Sequence, residues 1–158
     1  MVCESLKRLE ISFEYVDTDE AIPMEDCIEI NKKLDVKMVK TLFLCNSKKN
    51  KFYLFVTTAD KQFKSKDFSK ALQISRVSFA PPELLENILG VKIGAATVFG
   101  ILNDKENLVQ VVFDNDVLSE EWYGCSDGTT TGYMKVRTTQ VVNKFLPSTK
   151  HMPTVIEI

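Results

Sequence analysis

The sequence predicts a single α/β domain in which a mixed β-sheet is covered by helices, and three observations lead there. The chain has 158 residues, the usual size of one domain and enough to bury most of the apolar surface exposed on unfolding. Apolar residues make up 44% and charged residues 27%, an ordinary globular composition that excludes a disordered or fibrous chain. Strand-like and helix-like runs are interspersed, with two apparent antiparallel hairpins, so the pattern is a mixed sheet and not a uniform βαβ repeat.

The elements follow in order. Val2, Leu6 and Leu9 recur at helical spacing with Lys and Glu between them, predicting a short amphipathic helix over 2–10. Ile11, Phe13 and Tyr15 then alternate like a strand. After Pro23, Met24, Cys27, Ile28 and Leu34 share one helical face, and acidic residues occupy the first turn, where a helix N-terminus favours them. Val36 to Cys45 and Lys51 to Thr58 are β-branched or aromatic runs flanking NSKKN, which reads as a hairpin. Phe63, Phe68 and Leu72 fall near helical spacing, and Val77 and Phe79 flank an extended piece. Pro82 opens PELLENIL as a helix, and Gly90 is placed to close it. Thr97 to Leu102 and Leu108 to Phe113 read as two strands joined by a turn-forming loop, a second hairpin. Thr129 to Val136 reads as a further strand. Thr138 or Thr139 caps a last helix carrying Val141, Val142 and Phe145, which Pro147 stops. Residues 1–146 form the expected domain, and 147–158 a loosely attached tail.

Charge and cysteine usage narrow the function classes. A net charge of −2 argues against a protein that grips long nucleic acid by bulk electrostatics, although Lys48, Lys49, Lys51, Lys61, Lys64, Lys66 and Lys70 form a local basic cluster. Cys3, Cys27, Cys45 and Cys125 lack paired spacing, so no metal or redox site is expected. No apolar run is long enough to cross a bilayer, and no leader follows Met1, which predicts a cytoplasmic protein with reduced thiols. Dinucleotide, P-loop, zinc-protease and serine-hydrolase signatures are absent. The single histidine, His151, falls in the expected tail, a poor place for a Ser-His-Asp or Cys-His machine. Tyr123, Tyr133 and Phe99 read as core residues in preference to base-stacking platforms.

Four stretches carry a family resemblance: VKTLFL at Val39 to Leu44, VSFAPPELLENILGVKIGAATVFGILND at Val77 to Asp104, VQVVFD at Val109 to Asp114, and DGTTT at Asp127 to Thr131. Together they resemble the YbaK and prolyl-tRNA-synthetase-associated domains, whose free-standing members deacylate mischarged tRNA. The resemblance implies a partly barrel-like mixed sheet flanked by helices. It implies trans-editing hydrolysis of the ester on a mischarged tRNA, with alanine, cysteine or a similar small amino acid on tRNA(Pro). Neither metal nor organic cofactor is implied; the partners would be the 3′ acceptor end of an aminoacyl-tRNA and a synthetase that delivers it, with no DNA and no membrane.

The resemblance places the family's lysine on Lys40, followed by Thr41, and its small-residue loop on Gly94, Ala95, Ala96, Thr97 and Val98. Lys40 would hold a phosphate or ribose, as a compact cation suits. Gly94 and the loop amides would receive the developing oxyanion. Gly124, Gly128, Thr129 and Thr131 would line the far wall. Two positions depart from the family pattern: Val98 replaces the proline that ends the loop, and Gly124 with Cys125 replaces a His-Pro pair. The alternative reading is a catalytically inactive member of the same fold that binds tRNA or an aminoacylated ligand.

Overall fold

A computed structural model describes residues 2–17, 35–91, 95–129 and 131–157; the helix expected over 24–34 lies outside them. Helix α1 (Val2–Arg8) leads into strand β1 (Phe13–Asp17). Strands β2 (Val39–Asn46) and β3 (Phe52–Thr58) form the expected antiparallel hairpin. Helix α2 (Ser65–Leu72), strand β4 (Val77–Phe79) and helix α3 (Pro82–Leu89) follow. Gly90 ends α3 at φ 68°, the left-handed conformation that suits glycine.

Two sheets result, with helices around them, and they are not closed into a barrel among the described residues. One is three-stranded, in the order β1, β7 (Gly132–Arg137), β6 (Trp122–Ser126), antiparallel throughout. The other is five-stranded, in the order β4, β2, β3, β5 (Val109–Asp114), β8 (Thr154–Ile156). Strand β5 lies parallel to β3 and to β8, which makes this sheet mixed. A parallel bridge between Met38 and Gly124 joins the start of β2 to β6 and so ties the sheets together.

Alternation along the strands divides the interior in two. Phe43, Cys45, Leu54, Val56, Val111 and Phe113 face the main core, with Phe99, Tyr123, Met134 and Phe145. Leu44, Tyr53, Phe55 and Val112 face the opposite side, where α2 inserts Phe68. Phe68 packs against Phe55 and Tyr53 at centroid distances of 4.9 and 6.0 Å. Tyr123, Tyr133 and Phe99 are buried, as expected of core residues.

The structure corrects three expectations. Residues from Thr97 do not form a strand: Val98–Asn103 is a 3-10 helix, with the Thr97 side chain accepting the Phe99 amide at 3.4 Å. Val98, Phe99, Gly100 and Ile101 are all buried, so this run has no period-2 face, and a short apolar run without alternation does not distinguish strand from helix. Strand β5 consequently has no hairpin partner before it and reaches β3 through a long crossover. The second hairpin lies further on, between β6 and β7, where Gly124 interrupts the aromatic pattern of β6.

The last helix forms where expected but runs through Pro147 to Ser148 instead of stopping at the proline, and Arg137 occupies its cap with no side-chain cap made. Its middle, Val141–Phe145, is widened to a π-turn that ends two residues before Pro147, which cannot donate a helical hydrogen bond.

The third correction concerns the chain after Pro147, which is not loosely attached. It returns as β8 beside β5, and His151 is 3% exposed. Its Nε2 lies 2.9 Å from Asp104 Oδ2, and its Nδ1 lies 2.9 Å from Thr149 Oγ1.

Candidate functional site

The turn between β6 and β7 is built by short polar side chains on their own backbone. Asp127 Oδ1 accepts the Thr129 amide at 3.0 Å and the Thr129 hydroxyl at 2.7 Å, an Asx-turn arrangement. Thr129 Oγ1 in turn accepts the Gly132 amide at 3.0 Å, and Ser126 Oγ accepts the Gly128 amide at 3.0 Å. Thr131 is exposed, its hydroxyl 3.3 Å from that of Thr129. Gly128 adopts φ +102°, and a Cβ there would lie 3.3 Å from Val91 Cγ1. This glycine is therefore required by conformation, and it sets the turn against the loop that follows α3.

That loop carries the small residues singled out in the sequence. Gly94 lies outside the described residues. Ala95 is 1% exposed, Ala96 half-buried, and Thr97 and Val98 fully buried. The Thr97 side chain also hydrogen-bonds the Cys125 thiol, which links the loop to β6. Burial pushes Cys125 up to about 12; the charge of Asp127 adds to this, and the Thr97 hydrogen bond only partly offsets it. At neutral pH the group is a protonated, inert thiol and not a nucleophile.

Gly124 serves close approach. A Cβ there would lie 2.8 Å from Val36 Cγ1 and 3.0 Å from both Lys37 O and Met38 Sδ. Any side chain would push apart β6 and the segment entering β2, the same contact that carries the bridge between the sheets.

Lys40 and Thr41 leave β2 in opposite directions. Thr41 shares the face of Phe43, toward the main core, whereas Lys40 shares the face of Leu42 and Leu44. Lys40 Nζ donates to the carbonyl of Lys61 at 3.1 Å. The structure thus gathers the small-residue loop, Cys125 and the Asp127 turn, and sets the Lys40 ammonium on the other side of the strand that borders them.

The surroundings of Lys40 contain a cluster that sequence reasoning missed. Lys61 Nζ lies 2.8 Å from Asp114 Oδ2 and 2.8 Å from Asp116 Oδ2. Asp114, 1% exposed, also accepts the Thr57 hydroxyl at 2.7 Å and the Asp116 amide at 3.1 Å. Burial alone would raise the Asp114 pKa, but the hydrogen bonds from Lys61, Thr57 and the Asp116 amide outweigh it and hold the carboxyl below its ordinary value. The available signal was the aspartate ending VQVVFD, because a strand's carboxyl end is where α/β sheets place functional groups. A cleft of about 490 Å³ opens beside it, lined by Val39, Asp60, Lys61, Asp116 and Trp122 among others.

A depressed carboxylate contributes stability that is fully present above its unfolded value, 3.8 here, and is lost as pH falls through the lower folded value. The melting-temperature gap between the protein and Asp114→Asn is therefore expected to stay constant above about pH 5 and to shrink below about pH 4. Thermal melts across that range check it, and a gap that does not change refutes the pairing.

Tyr15 and Asp127 form a further contact that the sequence did not announce. The Tyr15 hydroxyl donates to Asp127 Oδ2 at 3.0 Å, pinning β1 to the β6–β7 turn. Burial first, then this hydrogen bond, raise the Tyr15 pKa above the ordinary tyrosine value. Among the described residues no group of three or more His, Cys, Asp or Glu side chains is placed to hold a metal ion, and no helix is long and apolar enough to cross a membrane.

The family model described as the aminoacyl-tRNA editing domain matches residues 20–143, and the chain belongs to that family. It is 30% identical over 117 residues to the prolyl-tRNA editing protein ProX of Acetoanaerobium sticklandii, covering 74% of this chain and 71% of that one. It is 25% identical over 155 residues to prolyl-tRNA synthetase associated domain-containing protein 1 of Danio rerio, covering 97% of this chain and 83% of that protein. The crystal structure of a candidate trans-editing enzyme for prolyl tRNA synthetase superimposes with a TM-score of 0.72 at 13% identity, covering 99% of this chain and 94% of that one. At that identity the likeness shows the fold alone.

Proposed function

We propose that this protein is a trans-editing deacylase that hydrolyses the ester between a small amino acid, such as alanine or cysteine, and tRNA(Pro). The observation that carries the proposal is membership of the editing-domain family over residues 20–143, supported by the prolyl-tRNA editing relative. An aminoacyl ester is already activated, so catalysis needs a positioned water, the neighbouring ribose hydroxyl and donors for the oxyanion. Gly94 and the amides of Ala95, Ala96 and Thr97 would supply those donors. Val98, Thr41 and Gly124 would bound the amino-acid pocket, with Gly128, Thr129 and Thr131 along its far side. Lys40 would hold a phosphate or the ribose end, and the reaction takes place in the cytoplasm, where charged tRNA is used.

Selectivity would follow from volume: a small pocket rejects larger side chains more strongly than smaller ones. The test is deacylation of a panel of alanyl-, cysteinyl- and seryl-tRNA(Pro) by the purified protein. Turnover of one of them supports the proposal and names the substrate; a folded protein that binds these tRNAs and hydrolyses none refutes it. The outward direction of the Lys40 ammonium favours one competing reading, a binding protein without turnover, which that second result would establish.

Cys125 enters neither reading as a nucleophile. Replacing it by alanine is expected to change kcat/KM by less than about threefold, because a protonated buried thiol attacks no ester. A loss of a hundredfold or more, measured on the hydrolysed substrate, would instead make the thiol part of the chemistry.

A further inference from the structure

We propose that the side of the five-stranded sheet covered by α2 is the surface that holds the phosphate backbone of the tRNA acceptor arm. The inference rests on the deacylase reading and extends it from the ester to the double-helical RNA that carries the ester. Residues 46–76 contain eight basic side chains and two acidic ones, Asp60 and Asp67, in a chain whose net charge is −2. The positive charge is thus segregated, and the remainder of the chain is acidic.

The fold places these residues on one side. Lys48, Lys49 and Lys51 are exposed on the β2–β3 turn, and Lys64, Lys66 and Lys70 are exposed along α2. Helix α2 lies on the sheet through Phe68, and the Ser65 hydroxyl donates to the carbonyl of Val77. Ile74, just beyond the helix, lines the same cleft as Asn50 and Lys51, so the end of α2 returns to the β2–β3 turn. At the opposite end of the strands stands Lys40, whose ammonium donates to the Lys61 carbonyl, while the Lys61 ammonium is itself paired with Asp114 and Asp116. Strand β3, with seven residues, separates the two ends by roughly 20 Å, a length that spans several successive phosphates.

Two of the three lysines of α2 sit where they do not help the helix, while Lys70 occupies the last turn, where the dipole favours a cation. Lys64 occupies the cap with no side-chain cap bond, a position that favours Ser, Thr, Asp or Asn. Lys66 falls in the first turn, where the helix dipole opposes a cation. Lys66 and Lys70 are four residues apart, so two like charges face each other on the outer surface. None of these three, nor Lys48, Lys49 or Lys51, forms an ion pair with an acidic side chain among the described residues. Cations at the cap and first turn of a helix, all facing solvent, fit a polyanionic partner. Phosphate contacts of this kind carry no sequence information, which suits a surface that orients the acceptor arm while the ester is read elsewhere.

The test compares the protein with the triple variant Lys64→Glu, Lys66→Glu, Lys70→Glu and its neutral counterpart Lys64→Gln, Lys66→Gln, Lys70→Gln, each checked for a melting temperature no lower than the parent's. Binding of uncharged tRNA(Pro) is measured against salt concentration. Hydrolysis is measured on the full aminoacyl-tRNA and on an aminoacylated 3′-terminal trinucleotide too short to reach α2. The expected result is a salt slope smaller by about two to three and tRNA binding at least about tenfold weaker at low salt. Turnover of the full tRNA should fall alongside binding, while turnover of the trinucleotide ester stays unchanged. Unaltered tRNA affinity and slope in both variants would overturn the proposal, as would loss of binding to phosphatidylserine vesicles with tRNA binding intact. Should the protein hydrolyse neither ester yet lose tRNA binding in the variants, the surface stands and the deacylase reading falls.

Discussion

Lys40→Ala is expected to lower kcat/KM on the mischarged tRNA by about ten- to a hundredfold, the scale of one lost charge-assisted hydrogen bond to a phosphate or ribose. Lys40 reaches the Lys61 carbonyl at 3.1 Å, and Lys61 is itself held between Asp114 and Asp116. A compact cation anchored this way is positioned before substrate arrives. Moving from this position to a bound phosphate or ribose exchanges one hydrogen bond for a charge-assisted one. The stability cost of the substitution should be small, about 1 kcal/mol, since a single part-buried hydrogen bond is lost. Equal turnover by the variant and the parent would remove Lys40 from the mechanism. A rise in KM with kcat unchanged would leave it a binding role only.

The second large effect concerns stability. Asp104→Ala is expected to destabilise the fold by about 3–5 kcal/mol, because it strips a buried partner from His151 and two backbone amides at once. Asp104 is 4% exposed and accepts the amides of Leu108 and Val109 at 2.9 Å each, alongside His151 at 2.9 Å. For a chain of this size that corresponds to a fall in melting temperature of roughly 10–15 °C. His151→Ala should cost less, because Asp104 keeps both amide partners. Both variants should raise hydrogen exchange in Thr154–Ile156, which His151 fastens beside β5. Unchanged protection of β8 in Asp104→Ala would show that the strand holds without this pair.

Much of the fold was legible in the chain because local signals agreed with one another. The β2–β3 hairpin, α2, and α3 with its proline start and glycine stop each had a period or a cap that tertiary contacts did not need to override. Errors fell where a run was buried on all sides. Val98 to Ile101 offers no alternation to read, and Thr97 decides the matter by capping a 3-10 helix. Strand β6 was hidden because Gly124, placed for close approach to Val36 and Met38, interrupts an otherwise aromatic run.

The candidate site divides in the same way. Family membership, the small-residue loop and the glycine of the Asp127 turn were all available from the residues. The inertness of Cys125 followed from its lack of a neighbouring histidine, and burial supplies the physical cause. Of the cluster of Lys61, Asp114, Asp116 and Thr57 only the aspartate ending VQVVFD was available; its meeting with Thr57 and Lys61 arises only when β3 and β5 pair in parallel. The attachment of the last residues was equally invisible: a short segment with one histidine and only a three-residue strand gives no periodic signal, and the histidine's partner is 47 residues away. By itself the sequence determined the class of fold, the family and the segregation of positive charge into residues 46–76. The tertiary structure decided which face of β2 carries Lys40, which carboxylates hold Lys61, and whether the final strand is bound, because each depends on distant groups brought together by strand pairing and burial.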